Sequence, residues 1–301
     1  MIKLLIGGSP CTYWSIAQNK DKREKEASGI GWELFKNYVI AKKNFQPNYF
    51  LYENNWSASK EIKEQIWQEL NCELMRINSN LVSAQNRDRF YVFNWNVDLP
   101  SERGQLLKDI VLPYNEVDEK YYINKPIQKF VDSDRIIGSL NPDGYRSSNE
   151  VHKLETKCAT LTCDGKGGGL VKKIYQDDKI RYLTPVEYER LQTMPDHYTA
   201  GISNTQRYNC LGNGWTAEVI IHILNGILKD VPKNEDIIVL SMYDGIATGR
   251  YCLDKMGFTN VKYYAYEIDK WAIKVALNNY PDIIECGDAF DVRKEDWSLP
   301  E

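Results

Sequence analysis

The chain has 301 residues, enough for one large core or a core plus a smaller domain. Hydrophobic residues make up 43% and charged residues 27%, a globular balance, and no run of about 20 apolar residues offers a membrane span. The net charge of −4 argues only weakly against nucleic acid as a partner, because the field of one face decides phosphate binding. Seven cysteines without a C-x-x-C pair, behind an N-terminus lacking a signal-peptide pattern, predict free thiols in a cytoplasmic protein and no metal site.

In chain order, Ile2 to Ile6 reads as a buried strand that runs into Gly7-Gly8-Ser9-Pro10-Cys11. This places a thiol on an exposed turn, and at the carboxyl edge of an α/β sheet such turns form active sites. The polar segment Gln18 to Gly31, with Gly29 and Gly31 as hinges, reads as a mobile loop. Trp32 to Ile40 has helical apolar spacing, and Tyr49 to Tyr52 is a strand ending in Glu53-Asn54-Asn55. Ser57 or Ser59 caps a helix whose apolar face is Ile62, Ile66, Trp67 and Leu70. Strands over Leu74 to Ile77 and Phe90 to Phe93 flank Gln85-Asn86-Arg87-Asp88-Arg89.

From about Asp98 to Lys179 the pattern breaks into short strand-like pieces, polar turns and the run Gly165 to Gly169. This predicts a smaller, irregular domain over 98–180 between a first part, 1–97, and a return part, 181–301. Lys153, Lys157, Lys166, Lys172 and Lys173 lie within 21 residues, as either a solvated loop or a phosphate-facing strip. Thr184-Pro185-Val186-Glu187 is a helix start with Thr as N-cap, Pro at N1 and Glu at N3. An amphipathic helix over 216–228 and a linker over 231–235 follow.

A fresh βαβ unit then begins. Ile237 to Leu240 is a strand, Asp244 to Gly249 a glycine-containing turn, and Val261 to Tyr266 a second strand closed by Glu267. The glycines let backbone approach a ligand, and an acidic residue about 20 positions on can accept ribose hydroxyls. Such units usually open a chain, whereas this one closes it. Joining the two ends restores a continuous parallel half-sheet, the order that circular permutation produces. The expected fold is therefore α/β, a doubly wound and mostly parallel sheet of Rossmann-like type, circularly permuted.

On these motifs the chain resembles the cytosine-5 DNA methyltransferases in circularly permuted form. Gly8-Ser9-Pro10-Cys11 is similar to the family's nucleophile motif, and Glu53-Asn54 to its Glu-Asn partner. Gln85 to Arg89 matches Q-x-R-x-R. Arg181 to Gln192 with Pro195-Asp196 matches R-x-L-T-x-x-E-x-x-R-L-Q…P-D, and Leu211-Gly212-Asn213 before a helix is similar to the last motif. Tyr243 to Gly249, Glu267 and Gly287-Asp288 resemble the three cofactor motifs. The stretches Asp244 to Gly249 and Ile6 to Cys11 look most like the mammalian de novo DNA methyltransferases. Thr12, Asn55, Gly214-Trp215 and Ser241 depart from common family residues, and none removes a proposed catalytic group.

The resemblance implies methyl transfer from S-adenosylmethionine to carbon 5 of a flipped-out cytosine in double-stranded DNA. Carbon 5 is a poor nucleophile, and thiolate attack at carbon 6 by Cys11 turns the ring into an enamine that accepts a methyl group. Glu53 would protonate or hydrogen-bond ring nitrogen 3, and Arg87 and Arg89 would hold the exocyclic oxygen and nearby phosphates. For the cofactor, Tyr243 would pack near adenine or methionine, Glu267 would hold the ribose and Asp288 the adenine amine. Asp244, Gly245, Ile246, Gly249, Ile268, Pro10, Asn213 and Trp215 would complete that pocket. Ser15, Asn54, Gln85, Thr160 and Leu161 would touch the DNA substrate. The 98–180 region would recognise the target, with Gln18 to Gly31 as a lid over the flipped base. A self-sufficient monomer is expected. The alternatives are a transfer-RNA cytosine-5 methyltransferase on the same scaffold and a catalytically silent DNA-interaction protein. Intact Cys11, Glu53, Arg87 and Arg89 argue against the second.

Overall fold

The computed structural model describes residues 1–16, 21–142, 148–163 and 170–300. Lys166, the run Gly165 to Gly169 and the first residues of the predicted lid, Gln18 to Lys20, lie outside them. The chain divides into two compact units, Met1–Ile77 with Asp88–Leu99 and Ile220–Glu301, and Asn78–Arg87 with Pro100–Val219.

The first unit is built on seven strands: β1 (Ile2–Gly7), β2 (Tyr49–Asn55), β3 (Leu74–Asn78), β4 (Asp88–Phe93) and, late in the chain, β11 (Ile237–Met242), β12 (Val261–Tyr266) and β13 (Ile284–Gly287). Their order is β13-β12-β11-β1-β2-β4-β3. From β13 to β2 every pairing is parallel, and β4 runs antiparallel to β2. Buried between layers, β1 reads as the unbroken apolar run that a central parallel strand requires, with Leu5 opposite both Leu240 and Phe50.

Helices α1 (Gly29–Phe45) and α2 (Lys60–Leu70) cover one face of this sheet. Their Trp32, Phe35, Tyr38, Ile62 and Ile66 join Trp14, Tyr52, Phe90, Met242 and Tyr266 in one core cluster. Of the two predicted caps, Ser59 serves α2, its Oγ accepting from Ile62 N at 3.2 Å. The chain leaves β11 and β12 through α6 (Thr248–Lys255) and α7 (Lys270–Asn279). A Cβ on Gly249 would lie 2.2 Å from Ile6 Cδ1 and 2.7 Å from the Tyr263 hydroxyl, so only glycine lets α6 sit this close to the sheet.

The second unit carries β5 (Tyr122–Ile123), β6 (Lys129–Phe130), β7 (Ile136–Ser139), β8 (Glu150–His152), β9 (Lys173–Gln176) and β10 (Lys179–Tyr182). They form a six-stranded sheet in the order β5-β10-β9-β8-β7-β6. Helices α3 (Pro185–Leu191) and α4 (Asn204–Asn213) belong to the same unit, and α5 (Ala217–Leu228) leads out of it. The predicted cap of α3 is present as a reciprocal box: Thr184 N donates to Glu187 Oε2 at 2.6 Å and Glu187 N to Thr184 Oγ1 at 3.3 Å.

Residues 181–219 thus fall in the second unit, where the expected boundary at 180 had placed them with the return part. The physical reason is the fully buried pair of Arg181 on β10 and Glu187 on α3, 2.6 Å apart. The lysine cluster is also corrected. Lys172 and Lys173 are buried, and Lys173 Nζ donates to Ser148 O and Val171 O. Lys157 Nζ turns to the carbonyls of Asn80 and Ser83, so Lys157 and Lys173 serve the unit's own backbone rather than a phosphate strip. No helix among the described residues is long and apolar enough to cross a membrane.

Candidate active site

The parallel register sets the site. Gly7 pairs with both Met242 and Tyr52, and Met242 pairs with Tyr266. The segments that follow these residues therefore leave the same sheet edge side by side. They are Gly8 to Cys11 after β1, Glu53-Asn54 at the end of β2, Tyr243 to Gly249 after β11 and Glu267-Ile268 after β12. Gly287-Asp288 leaves β13 at the same edge. The edge lies at the switch point where the order passes from β1 to β2 on one side and to β11 on the other, where α/β sheets open a crevice.

Cys11, half-buried, opens a 3₁₀ turn over Cys11–Tyr13 with Pro10 as its N-cap. The turn is tied down from β2. Asn54 is buried, and its Nδ2 donates to Ser9 O at 2.9 Å and Tyr52 OH at 3.1 Å, while Ser9 Oγ and Tyr52 OH lie 2.7 Å apart. Asn54 is thus a tether for the Pro-Cys loop. Ser15 Oγ accepts from Asn55 Nδ2 at 3.2 Å, a further link between the same two segments.

Glu53, expected from its strand-end position and motif, is a buried carboxylate. Its Oε1 lies 3.0 Å from Arg89 Nε, and its Oε2 and carbonyl oxygen border Gly8, whose missing Cβ would sit 2.8 Å from each. Arg89 reaches it because β4 pairs antiparallel with β2, Arg89 facing Asn55 and Tyr91 facing Glu53. Strand register thus brings Cys11's loop, Glu53 and Arg89 to one edge.

The cofactor motifs meet at the other half of the edge. Gly245 N donates to Glu267 Oε2 at 2.8 Å, and Glu267 Oε1 accepts from Ile268 N and Asp269 N, each at 2.8 Å. Asp244 Oδ1 accepts from Ser241 Oγ and Tyr263 OH, both at 2.6 Å, so Ser241 supports the motif rather than weakening it. Burial pushes the Asp244 carboxyl up to about 6 against the pull of these hydrogen bonds. Tyr243 adopts φ 59°, donates its hydroxyl to Leu34 O at 2.7 Å and accepts from Asn37 Nδ2 at 3.1 Å. Asp288 Oδ1 accepts from Phe290 N at 3.0 Å, capping the turn after β13.

These residues fit a nucleoside. Gly245 and Gly287 have φ of 65° and 82°, with open space where a Cβ would stand, so backbone is bare at the strand tips. Glu267 keeps acceptor capacity beyond its three N–H partners for a ribose hydroxyl. Ile268 is 73% exposed beside it, an apolar surface for a flat base, while Ile246 is buried. Among the described residues no group of three or more His, Cys, Asp or Glu could hold a metal.

The remaining predicted residues belong to the second unit. Arg87 is buried, and its guanidinium donates to Gly212 O at 3.0 Å, Gly214 O at 2.8 Å and Leu161 O at 3.4 Å. Gln85 is fully buried, its Nε2 on Leu191 O and Gln192 Oε1 and its Oε1 on Leu161 N. Thr160 Oγ1 donates to Asn86 O at 2.6 Å. Arg87, Gln85 and Leu161 are thus buried in the second unit, with Thr160 half-buried beside them, and each makes contacts within that unit. Asn213 Oδ1 accepts from Cys163 Sγ at 2.7 Å, and Trp215 follows the end of α4.

Two residues escaped the sequence reading. Glu285 on β13 has both carboxylate oxygens buried without a hydrogen-bond partner, and burial, Asp244 and Glu267 push it up to about 7. Its signal in the sequence is an acid between Ile284 and Cys286 in the last strand. Glu24 accepts from Trp14 Nε1 at 3.1 Å and from Gly31 N at 3.1 Å. The described part of the predicted mobile loop is therefore tied to the Cys11 turn, and Gly29 and Gly31 make room for that carboxylate instead of acting as hinges.

The family model for C-5 cytosine-specific DNA methylase matches residues 1–229. The Type II methyltransferase M.Bsp6I of Bacillus sp. (strain RFL6) is 26% identical, covering 76% of this chain and 79% of that protein. The Orphan methyltransferase M.SPRI of Bacillus phage SPR is 25% identical over 56% of this chain and 50% of its own length. The Type II methyltransferase M.Sau3AI of Staphylococcus aureus is 24% identical over 76% of this chain and 62% of its own length. A solved DNMT2 of Spodoptera frugiperda is 16% identical at a TM-score of 0.45, covering 74% of this chain and 78% of that one. With three quarters of its length matched by the family model, the chain belongs to the C-5 cytosine-specific DNA methylase family.

Proposed function

We propose that the chain is a DNA (cytosine-5) methyltransferase in which Cys11 is the nucleophile and Glu53 and Arg89 act on the ring. The observation that carries this reading is the contact of Gly8 with Glu53, which holds the thiol-bearing loop and the Glu53–Arg89 pair at one sheet edge. S-adenosylmethionine, when bound, supplies the methyl group.

Cys11 thiolate adds to carbon 6 of the cytosine, forming a carbon–sulfur bond and pushing the electron pair of the 5,6 double bond toward ring nitrogen 3 and carbon 5. Glu53 must carry a proton for this step and donates it in a hydrogen bond to nitrogen 3, which stabilises this charge, and Arg89 orients Glu53 and presents its remaining N–H groups to the exocyclic oxygen. After carbon 5 takes the methyl group, water takes the carbon-5 proton, and the electron pair left behind restores the 5,6 double bond as the Cys11 sulfur departs as thiolate. Glu267 would hold the ribose, Asp288 the adenine amine, and Tyr243, Asp244, Gly245, Ile246, Gly249 and Ile268 would shape the pocket around them. Pro10 would close it.

Duplex DNA is the proposed partner, with the 98–180 region reading its target. A circularly permuted order is supported by the family match to residues 1–229 and by β11 to β13 adding to the sheet beside β1. The test is incubation with labelled S-adenosylmethionine and either duplex DNA or transfer RNA. We expect 5-methylcytosine in the DNA, identified by nucleoside mass spectrometry. Label in the RNA alone would assign the activity to the other nucleic acid.

A further inference from the structure

We propose that Glu24 is a positioning residue for the Cys11 nucleophile, its carboxylate locking the Trp14 indole to the start of α1 and so fixing the turn that carries the thiol. The proposal rests on the reading of Cys11 as the attacking group.

The chain of contacts is short. The carbonyl of Cys11 accepts from Trp14 N at 3.0 Å and Ser15 N at 2.9 Å, so the backbone of the nucleophile moves with Trp14. Trp14 is fully buried in the core cluster of the first unit. A buried indole N–H needs an acceptor, and Glu24 Oε2 provides it at 3.1 Å. The same carboxylate accepts from Gly31 N, 3.2 Å from Oε1 and 3.1 Å from Oε2. That amide lies in the first turn of α1, where N–H groups have no helical partner and the helix dipole favours an anion.

The surroundings are cut to fit this carboxylate. A Cβ on Gly29 would stand 2.6 Å from Glu24 Oε1. One on Gly31 would stand 2.6 Å from both Glu24 Oε2 and Trp14 Nε1. Glu24 is itself held by its backbone, its N donating to Tyr13 O at 2.9 Å, and Arg23 Nε donates to Trp14 O at 3.1 Å. Helix α1 also binds the hydroxyl of Tyr243 through Asn37 and Leu34. Glu24 thus references the thiol to the helix that steadies the cofactor loop. Charge and shape together distinguish it from the other acids of residues 21–31.

The test compares Glu24→Ala, Glu24→Gln and Gly31→Ala in the full chain. Three readouts are taken: the rate of Cys11 alkylation by iodoacetamide, mapped by mass spectrometry; S-adenosylmethionine affinity by calorimetry; and kcat and KM on duplex DNA. Misplacing the thiol should lower kcat by about ten- to a hundred-fold in Glu24→Ala and Gly31→Ala. Cofactor affinity should stay within about two-fold, and Cys11 alkylation should shift several-fold, as expected for a displaced attacking group. Glu24→Gln keeps one acceptor for the indole and should fall between Glu24→Ala and wild type. Wild-type kcat and alkylation rates in a folded Glu24→Ala would overturn the proposal. If that variant does not fold, wild-type values in Glu24→Gln and Gly31→Ala would overturn it equally. Alkylation needs neither cofactor nor DNA, so it judges Glu24 even if wild-type protein transfers no methyl group, an outcome that would count against the proposed function instead.

Discussion

Gly8 and Glu53 touch where β1 and β2 end, so closely that a Cβ on Gly8 would lie 2.8 Å from both the Glu53 carbonyl oxygen and its Oε2. The contact joins the loop that carries the thiol to the carboxylate meant to act on the same ring. Gly8→Ala should therefore push the two apart. Methyl transfer should drop by about 100-fold, the cost of an ångström-scale misplacement, with cofactor affinity unchanged because Tyr243 to Gly249 are untouched. Steady-state kinetics and calorimetry on the variant check both halves.

Arg89 and Glu53 form an ion pair with side chains 9% and 12% exposed. Removing one partner leaves a desolvated charge, so Arg89→Ala should lower stability by about 3 kcal/mol as well as activity. Arg89→Lys restores the charge without the planar fork and should recover stability better than turnover. Urea denaturation beside initial rates separates the two effects.

Glu285 is an acid raised to about 7 from an ordinary 4.5, with Asp244 and Glu267 as the charges that reinforce its burial. A carboxyl raised in the folded state is penalised as pH climbs from about 4.5, where the unfolded chain releases the proton first, to about 7, above which the penalty is complete. Glu285→Gln should stabilise the protein by about 1–2 kcal/mol near pH 8, allowing for partial exposure, and have little effect near pH 5. Thermal melts of both proteins across that range would show equal shifts at every pH if the account is wrong.

His152 on β8 is fully buried with neither ring nitrogen hydrogen-bonded. Burial, with Arg135, Lys172 and Lys173 nearby, lowers it from 6.5 to about 3. Below about pH 6.5 the unfolded chain takes up a proton that the folded chain refuses, so stability should fall by up to about 1.4 kcal/mol per pH unit. His152→Phe should remove this part of the acid sensitivity. Denaturation midpoints of the two proteins should diverge between about pH 6.5 and 5, and parallel curves would contradict the assignment.

Local signals were legible in the sequence. The apolar run of β1, the Thr184 box closed within three residues and the glycine turn of Tyr243 to Gly249 each carry their cause in a few neighbouring positions. Side-chain roles set by distant partners were not. Arg87 and Gln85 look like substrate groups in their motif, yet their guanidinium and amide are spent on carbonyls at Gly212 and Leu191, 125 and 106 residues away. Asn54 likewise serves Ser9, 45 residues back, because parallel pairing of β1 and β2 brings the two strand ends together. Glu24 looked like one charge among many in a polar loop. Its function as an acceptor for Trp14 depends on how that indole is buried.

The most direct test of the central claim is a trapping experiment. Duplex DNA bearing 5-fluorocytosine is incubated with the protein and S-adenosylmethionine, and the products are digested and mapped by mass spectrometry. Fluorine at carbon 5 cannot leave as a cation, so the final elimination is blocked and the attacking residue stays bound to carbon 6. A methylated adduct is expected on Cys11 alone, absent in Cys11→Ser. An adduct on another cysteine, or methylation of ordinary duplex DNA by Cys11→Ser at the wild-type rate, would contradict it.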